Sequence, residues 1–161
     1  MNTYVLKDVL KQTMIAAIYV VLVYVFAFAS FGLIQFRIAE VLMILVLFDK
    51  KSIVGLTMGC FIANWLGGAI IIDIIIGPFA TLLAGVLMHY TKEKVVLAMV
   101  WPAIANGIII GLILTYGYKF GPLFFTIPSV FIGEAAVMYL VGLPTYYVLR
   151  QNKGFMEFFK G

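Results

Sequence analysis

Long apolar stretches, separated by short segments with charges, glycine or proline, run through the whole chain. A helix needs about 20 apolar residues to cross the hydrocarbon core of a bilayer. Six stretches fit such helices, although the second is short: residues 9–29, 38–48, 52–66, 73–90, 95–116 and 128–150. Pro128 would begin the last helix, because the first turn tolerates the missing N–H. We therefore expect an all-α polytopic membrane protein with six transmembrane helices in a single domain, residues 1–161.

The composition supports lipid as the solvent of most of the exterior. Hydrophobic residues make up 65% of the chain, charged residues only 11%, and the mean hydropathy is +1.14. A soluble domain of this size needs far more polar surface. The net charge of +4 comes from basic residues that stand singly or in pairs between apolar runs. That distribution is typical of membrane loops and does not indicate nucleic-acid binding.

The basic residues also predict the orientation. With the N-terminus inside, the inner segments hold nine basic residues: Lys7, Lys11, Lys50, Lys51, Lys92, Lys94, Arg150, Lys153 and Lys160. The outer segments hold only Arg37 and Lys119. Cytoplasmic loops carry an excess of lysine and arginine. The pattern therefore predicts six spans with both termini in the cytoplasm.

Six polar residues fall within or at the ends of the apolar stretches, where a charge costs at least a few kcal/mol. They are Arg37, Glu40, Asn64, Asp73, Asn106 and Glu134. In the predicted topology nearly all of them lie in the outer half of the membrane, and the inner half is apolar. This asymmetry predicts a polar binding pocket that opens outward and is closed beneath.

Most of these residues also have a structural interpretation. Asp73 could cap the fourth helix. Arg37 and Glu40 lie three positions apart and could pair on one helix face. The two asparagines could join helices by hydrogen bonds. Glu134 is the hardest to explain in this way, because it lies too deep for a cap among apolar neighbours.

Small residues recur at four-residue spacing, which lets helices approach closely in lipid. Three such sets are Gly55–Gly59, Gly107–Gly111 and Gly77–Thr81–Gly85. Packing inside the chain is the simpler interpretation for these sets. Thr13 and Ala17 differ, because they lie on the first helix, which has lipid or a partner on one side. We consider both internal packing and partner docking for that pair.

Several motifs are missing from the sequence. It contains neither a Walker A pattern nor GxGxxG, so it has no recognisable loop for using nucleotide energy. It has no Cys/His cluster for a metal, no GxSxG element and a single cysteine, Cys60. The chain is also short for two inverted repeats of a self-sufficient transporter. We expect a non-enzymatic binding unit without a cofactor or metal, which relies on a motor from elsewhere.

Several segments resemble the QueT family, the queuosine-precursor substrate-binding components of energy-coupling factor (ECF) transporters. The most specific are residues 31–40, FGLIQFRIAE, and 55–64, GLTMGCFIAN. Residues 67–68 (GG), 73–77 (DIIIG), 80–82 (ATL), 133–134 (GE) and 142–144 (GLP) add to them. The resemblance covers essentially the whole chain. Trp65 departs from it, since a smaller residue is expected there.

The resemblance implies a multi-pass S component of the cell membrane, with six helices and an outward pocket. It implies docking onto a transmembrane coupling protein that works with two ATP-binding cassette subunits, and toppling in the membrane to carry the ligand across. Small residues on the first helix are where such components meet the coupling protein. Thr13 and Ala17 match that position.

The implied ligand is a 7-deazaguanine, such as the pre-queuosine-1 base or queuine. Its guanine-like edge offers two adjacent N–H donors that one carboxylate accepts in bidentate fashion. Its side-chain amine is cationic and suits a second carboxylate. A donor for O6 could come from an asparagine or from Arg37, and Phe36, Trp65 or Phe131 could stack on the base. Sequence alone does not assign ligand edges to residues.

Three alternatives remain open at this stage. The chain could be an S component for another vitamin-like ligand, with the same fold. It could be a small oligomeric channel in which Glu40 or Glu134 forms a ring around a pore. It could also be a structural or assembly protein of the membrane without a ligand. Ligand-dependent thermal shift and ion flux without ATP distinguish these possibilities.

Overall fold

The computed structural model describes residues 3–27 and 37–160. Within these ranges the chain is helical, without a strand. Its helices are α1 (Thr3–Val25), α2 (Ile38–Leu47), α3 (Ser52–Leu66), α4 (Ile71–Tyr90), α5 (Val95–Gly117), α6 (Leu123–Gln151) and α7 (Lys153–Lys160). Four of them, α1 and α4 to α6, are long and apolar enough to cross a membrane, and α2 and α3 are shorter apolar helices. The all-α class is thus confirmed for the described residues, and six spans stay a prediction.

The predicted helices are found close to their expected positions. The third is confirmed at Ser52–Leu66, the fourth begins two residues early at Ile71, and the fifth ends one residue late at Gly117. The first begins six residues early at Thr3, and its predicted end at residue 29 lies outside the described residues. Helix α7 was not predicted.

The predicted start of the last helix is wrong. Helix α6 begins at Leu123, and Pro128 lies inside it. Pro122 stands just before the helix in an extended conformation, so it is this proline that marks the boundary. Pro128 removes one backbone donor inside the helix. Glu134 consequently lies about three helical turns from the start of α6, one turn deeper than expected.

Helix α2 is a 3₁₀-helix of ten residues. Such helices have 3.0 residues per turn, so side chains three positions apart stand in one line, and runs beyond about four residues are uncommon. Glu40, Met43 and Val46 follow Arg37 at this spacing, and all four are buried. The tight winding therefore turns one continuous edge of α2 toward the protein interior, with its two charged residues first.

Basic side chains gather at one end of the bundle, which we call the basic end. Lys11 pairs with Asp49 at 3.3 Å, and Lys51 pairs with Asp8. These pairs join the beginning of α1 to the connection between α2 and α3. Lys92 and Arg150 line one cavity together with Phe48 from the same connection. The antiparallel course of the helices thus collects these four basic residues at one end.

Close packing of helices depends on the glycine pairs. A Cβ atom at Gly59 would lie 2.8 Å from the Cβ of Tyr19 on α1. A Cβ at Gly111 would lie 2.7 Å from Ile127 on α6. Both distances are too short for real atoms, so only glycine permits these approaches. The interpretation of the glycine pairs as packing inside the chain is confirmed for Gly55–Gly59 and Gly107–Gly111.

We predict that the basic end faces the cytoplasm, because lysine and arginine accumulate on that side. Glu93 lies exposed between α4 and α5, and Lys119 lies exposed between α5 and α6. With Cys60 replaced by alanine, Lys119→Cys should react with an impermeant thiol reagent on intact cells, and Glu93→Cys should not. Labelling at 93 but not at 119 would overturn both the orientation and an outward-facing site.

Candidate functional site

The six polar residues that the sequence singles out are all buried. Their exposed fractions do not exceed 3%: Arg37, Glu40, Asn64, Asp73, Asn106 and Glu134. They come from five helices and the residue before α2, so no local sequence segment forms the cluster. Buried polar groups require partners because desolvation is costly. The contacts of each side chain therefore show which groups the fold satisfies and which it leaves free.

A chain of hydrogen bonds links Arg37, Asn64, Asp73 and Tyr118. Arg37 Nη2 donates to Asn64 Oδ1 at 3.0 Å. Asn64 Nδ2 donates to the backbone oxygen of Asp73 at 3.1 Å and to its Oδ1 at 3.4 Å. Tyr118 donates its hydroxyl to Asp73 Oδ2 at 3.1 Å, and burial raises the pKa of that hydroxyl. Asn64 and both carboxylate oxygens of Asp73 are thus occupied by the protein itself.

Two glycines make this series of hydrogen bonds possible. Gly68 has a φ of +70°, a left-handed conformation that suits glycine. It follows the end of α3 and lets the backbone turn back into α4, so Asn64 and Asp73 meet. A Cβ at Gly77 would lie 2.7 Å from Asn64 Nδ2 and 2.8 Å from Asp73 Oδ1. Gly77 therefore leaves the space in which these two side chains meet.

Glu40 is held by α1. Tyr19 donates its hydroxyl to Glu40 Oε1 at 2.5 Å, and the tyrosine is itself 1% exposed. Oε2 of Glu40 has no hydrogen-bond partner. Arg37 and Glu40 do not form the hydrogen-bonded pair that their spacing allows, because Arg37 bonds Asn64 and Glu40 bonds Tyr19. Each is left with free polar atoms.

Glu134 and Asn106 form the second buried arm of the cluster. Asn106 Nδ2 donates to Glu134 Oε1 at 3.2 Å and joins α5 to α6. Glu134 Oε2 and Asn106 Oδ1 have no partner. A π-helical segment, Val137–Gly142, begins three residues after Glu134. Such segments occur frequently at functional sites, and this one gives α6 an irregular course just beyond the carboxylate.

Electrostatic interactions join these arms into one site. Arg37 interacts with Glu40 and Asp73, and Glu134 interacts with Glu40 and Arg37. Three carboxylates thus interact electrostatically with one guanidinium, although the described residues show no ion pair between Arg37 and any of them. A fully ionised cluster would carry a formal charge of −2 and would favour a cationic or donor-rich ligand.

Five buried polar atoms of this cluster have no hydrogen-bond partner. They are Arg37 Nε and Nη1, Glu40 Oε2, Asn106 Oδ1 and Glu134 Oε2. An unsatisfied buried donor or acceptor costs about 1–3 kcal/mol, and more when charged. A ligand with both acceptors and donors would satisfy them. The described residues contain no group of three or more His, Cys, Asp or Glu side chains that could hold a metal ion.

Two residues that contact the cluster, Tyr19 and Tyr118, were not predicted. The sequence does mark Tyr19, because it interrupts an aliphatic stretch of α1, whereas nothing in the sequence marks Tyr118, which lies in a loop. The aromatic residues considered for stacking do not join the cluster: Trp65 is 62% and Phe131 is 37% exposed. Phe36 lies outside the described residues.

Thr13 and Ala17 lie on the exposed face of α1. Thr13 lines a groove of about 470 Å³ between α1 and α3, together with Gly55 and Met58. The hydroxyl of Thr13 donates to the backbone oxygen of Val9 at 2.9 Å, so it does not present a free donor to the groove. Both side chains are small and present no free donor, so this face of α1 has little bulk and is apolar.

The QueT transporter family matches residues 9–151 of the chain. The chain is also 38% identical over 77 residues to the queuosine precursor transporter QueT of Lactococcus lactis subsp. cremoris, a match that covers 47% of this chain and 45% of that protein. No solved structure matches the chain significantly. The family match extends from α1 to the end of α6, and the chain belongs to the QueT transporter family.

Proposed function

We propose that the protein is the substrate-binding S component of an ECF-type importer in the cell membrane and captures a queuosine precursor from outside. The observation that carries this proposal is the set of five unpaired buried polar atoms. They include the donors of Arg37 and the acceptors of Glu40, Asn106 and Glu134. A 7-deazaguanine offers the complementary set, with an acceptor at O6 and N–H donors on its ring and side chain.

The hydrogen bonds divide the site residues into two groups. Glu40, Arg37, Asn106 and Glu134 keep free atoms, so we assign them to ligand contact. Asn64 and Asp73 are hydrogen-bonded within the protein. We assign those two to holding the Arg37 guanidinium in place. The assignment refines the expectation that all six touch the ligand.

Measurements of binding and transport distinguish an S component from a channel or from a membrane protein without a ligand. Purified protein in detergent should show a thermal shift and saturable binding with 7-aminomethyl-7-deazaguanine, with adenine as a control for the base edge. Liposomes containing the protein alone should show no ATP-driven uptake. Uptake should appear when a coupling protein and two ATP-binding cassette subunits are added. Absence of binding, or ion flux without ATP, would refute the proposal.

We predict that bulk on the exposed face of α1 blocks transport while binding is retained. Thr13→Leu or Ala17→Leu should impair ATP-driven uptake, because larger side chains would keep the coupling protein from close contact. Binding should change by no more than about twofold, since exposed substitutions typically cost within about 0.5 kcal/mol. Met14→Leu, also on the exposed part of α1, is the matched control. Equal loss of binding and uptake would mean that these positions serve the internal fold.

A further inference from the structure

We propose that the two free carboxylates read different parts of the ligand. Glu134 with Asn106 takes the paired N–H donors of the guanine-like edge, and Glu40 with Tyr19 takes the cationic amine of the side chain. This inference rests on the proposed function, because it assumes a 7-deazaguanine ligand. It adds the assignment of ligand edges and a selectivity for an amine over an uncharged substituent.

The Glu134 arm presents a pair of acceptors. Its internal hydrogen bond uses Asn106 Nδ2 and Glu134 Oε1. The free atoms, Glu134 Oε2 and Asn106 Oδ1, are both acceptors and belong to the two side chains that this bond joins. Two acceptors on joined side chains suit two adjacent donors, as on the N1–H and 2-amino edge of a guanine-like base. An ammonium group carries its three donors on one nitrogen and does not require two acceptors in one plane.

The Glu40 arm presents one free carboxyl oxygen. Tyr19 occupies Oε1, which leaves Oε2 unpaired in a fully buried position. A compact ammonium makes a strong charge-assisted bond to one carboxylate oxygen and needs no second acceptor in a fixed plane. The hydrogen bond from Tyr19 fixes the orientation of the Glu40 carboxyl group. The position of Oε2 is therefore defined before the ligand arrives.

The charge balance favours the same division. Among the residues that the structure describes, Arg37 is the cation with which both glutamates interact, and it also interacts with Asp73. With all three carboxylates ionised, a neutral ligand would leave two buried negative charges without a counter-charge, which is costly. An ammonium beside Glu40 offsets one of them. Arg37 then remains for O6, which lies next to N1–H on the base edge read by Glu134.

The test compares two ligands on two matched variants. The ligands are 7-aminomethyl-7-deazaguanine, which carries the ammonium, and 7-cyano-7-deazaguanine, which does not. Glu40→Gln should weaken binding of the aminomethyl base by about 10- to 100-fold more than binding of the cyano base. Glu134→Gln should weaken both ligands by a similar factor. Glu157→Gln, an exposed change on α7, should alter neither affinity.

Each result has a defined meaning. Equal loss of both ligands in Glu40→Gln, or selective loss of the aminomethyl base in Glu134→Gln, would overturn the division. If wild-type protein binds neither base, the proposed function fails as well. If Glu40→Gln does not fold, Glu40→Asp keeps the charge and withdraws it by one methylene. It should also lower the preference for the aminomethyl base, and an unchanged preference would overturn the proposal.

Discussion

Glu134→Gln is expected to weaken binding of 7-aminomethyl-7-deazaguanine by about 30- to 1000-fold, or roughly 2–4 kcal/mol. In the structure Glu134 Oε1 accepts a hydrogen bond from Asn106, and Oε2 is free. A glutamine can keep the bond to Asn106 only through its oxygen. Its NH₂ group then occupies the place of Oε2 and faces the ligand's N–H donors, so a charge-assisted bond is replaced by two opposed donors.

The measurement is an isothermal titration on protein that elutes as a single species in detergent. Thermal stability without ligand should be retained or raised, because a neutral amide is less costly to bury than a carboxylate. Glu157→Gln removes an exposed carboxylate and controls for the charge change. Near-wild-type affinity in Glu134→Gln would show that this residue has a structural role and that another carboxylate reads the base edge.

The polar cluster could be predicted from sequence because its members break long apolar stretches. A charge in such a stretch needs a reason, and this principle selected Arg37, Glu40 and Glu134 without any knowledge of contacts. Helix positions followed from the same patterns, since an apolar run bounded by charges or glycine has few other interpretations in lipid. The third helix was located to the residue, at Ser52–Leu66.

The hydrogen-bonding pattern could not be predicted in this way. Whether Glu40 bonds Arg37 or Tyr19 depends on how α1 packs against α2, and sequence spacing contains no information on that packing. The sequence also did not predict that α2 is a 3₁₀-helix, because its apolar residues fit an α-helix equally well. The start of the last helix was predicted at Pro128, and only the tertiary structure shows that the boundary lies at Pro122.

Removing the guanidinium at position 37 is expected to destabilise the protein strongly, even without ligand. Arg37→Met has a similar length but leaves Asn64 Oδ1 without its donor. It also removes the cation with which Glu40 and Glu134 interact. Breaking a buried charge network by deleting one partner costs about 3–5 kcal/mol. For a chain of this size that corresponds to a fall in Tm of roughly 6–20 °C.

Thermal unfolding in detergent, followed by circular dichroism, measures this effect. Arg150→Met is the matched control, because Arg150 is exposed at the basic end, and its Tm should change little. Arg37→Met combined with Glu40→Gln should recover part of the lost stability, since the second change removes one of the carboxylates left without a counter-charge. An unchanged Tm in Arg37→Met would contradict the network, because it would mean that the carboxylates do not depend on this guanidinium. A lower Tm without recovery in the double variant would point instead to the Asn64 contact as the source of the stability.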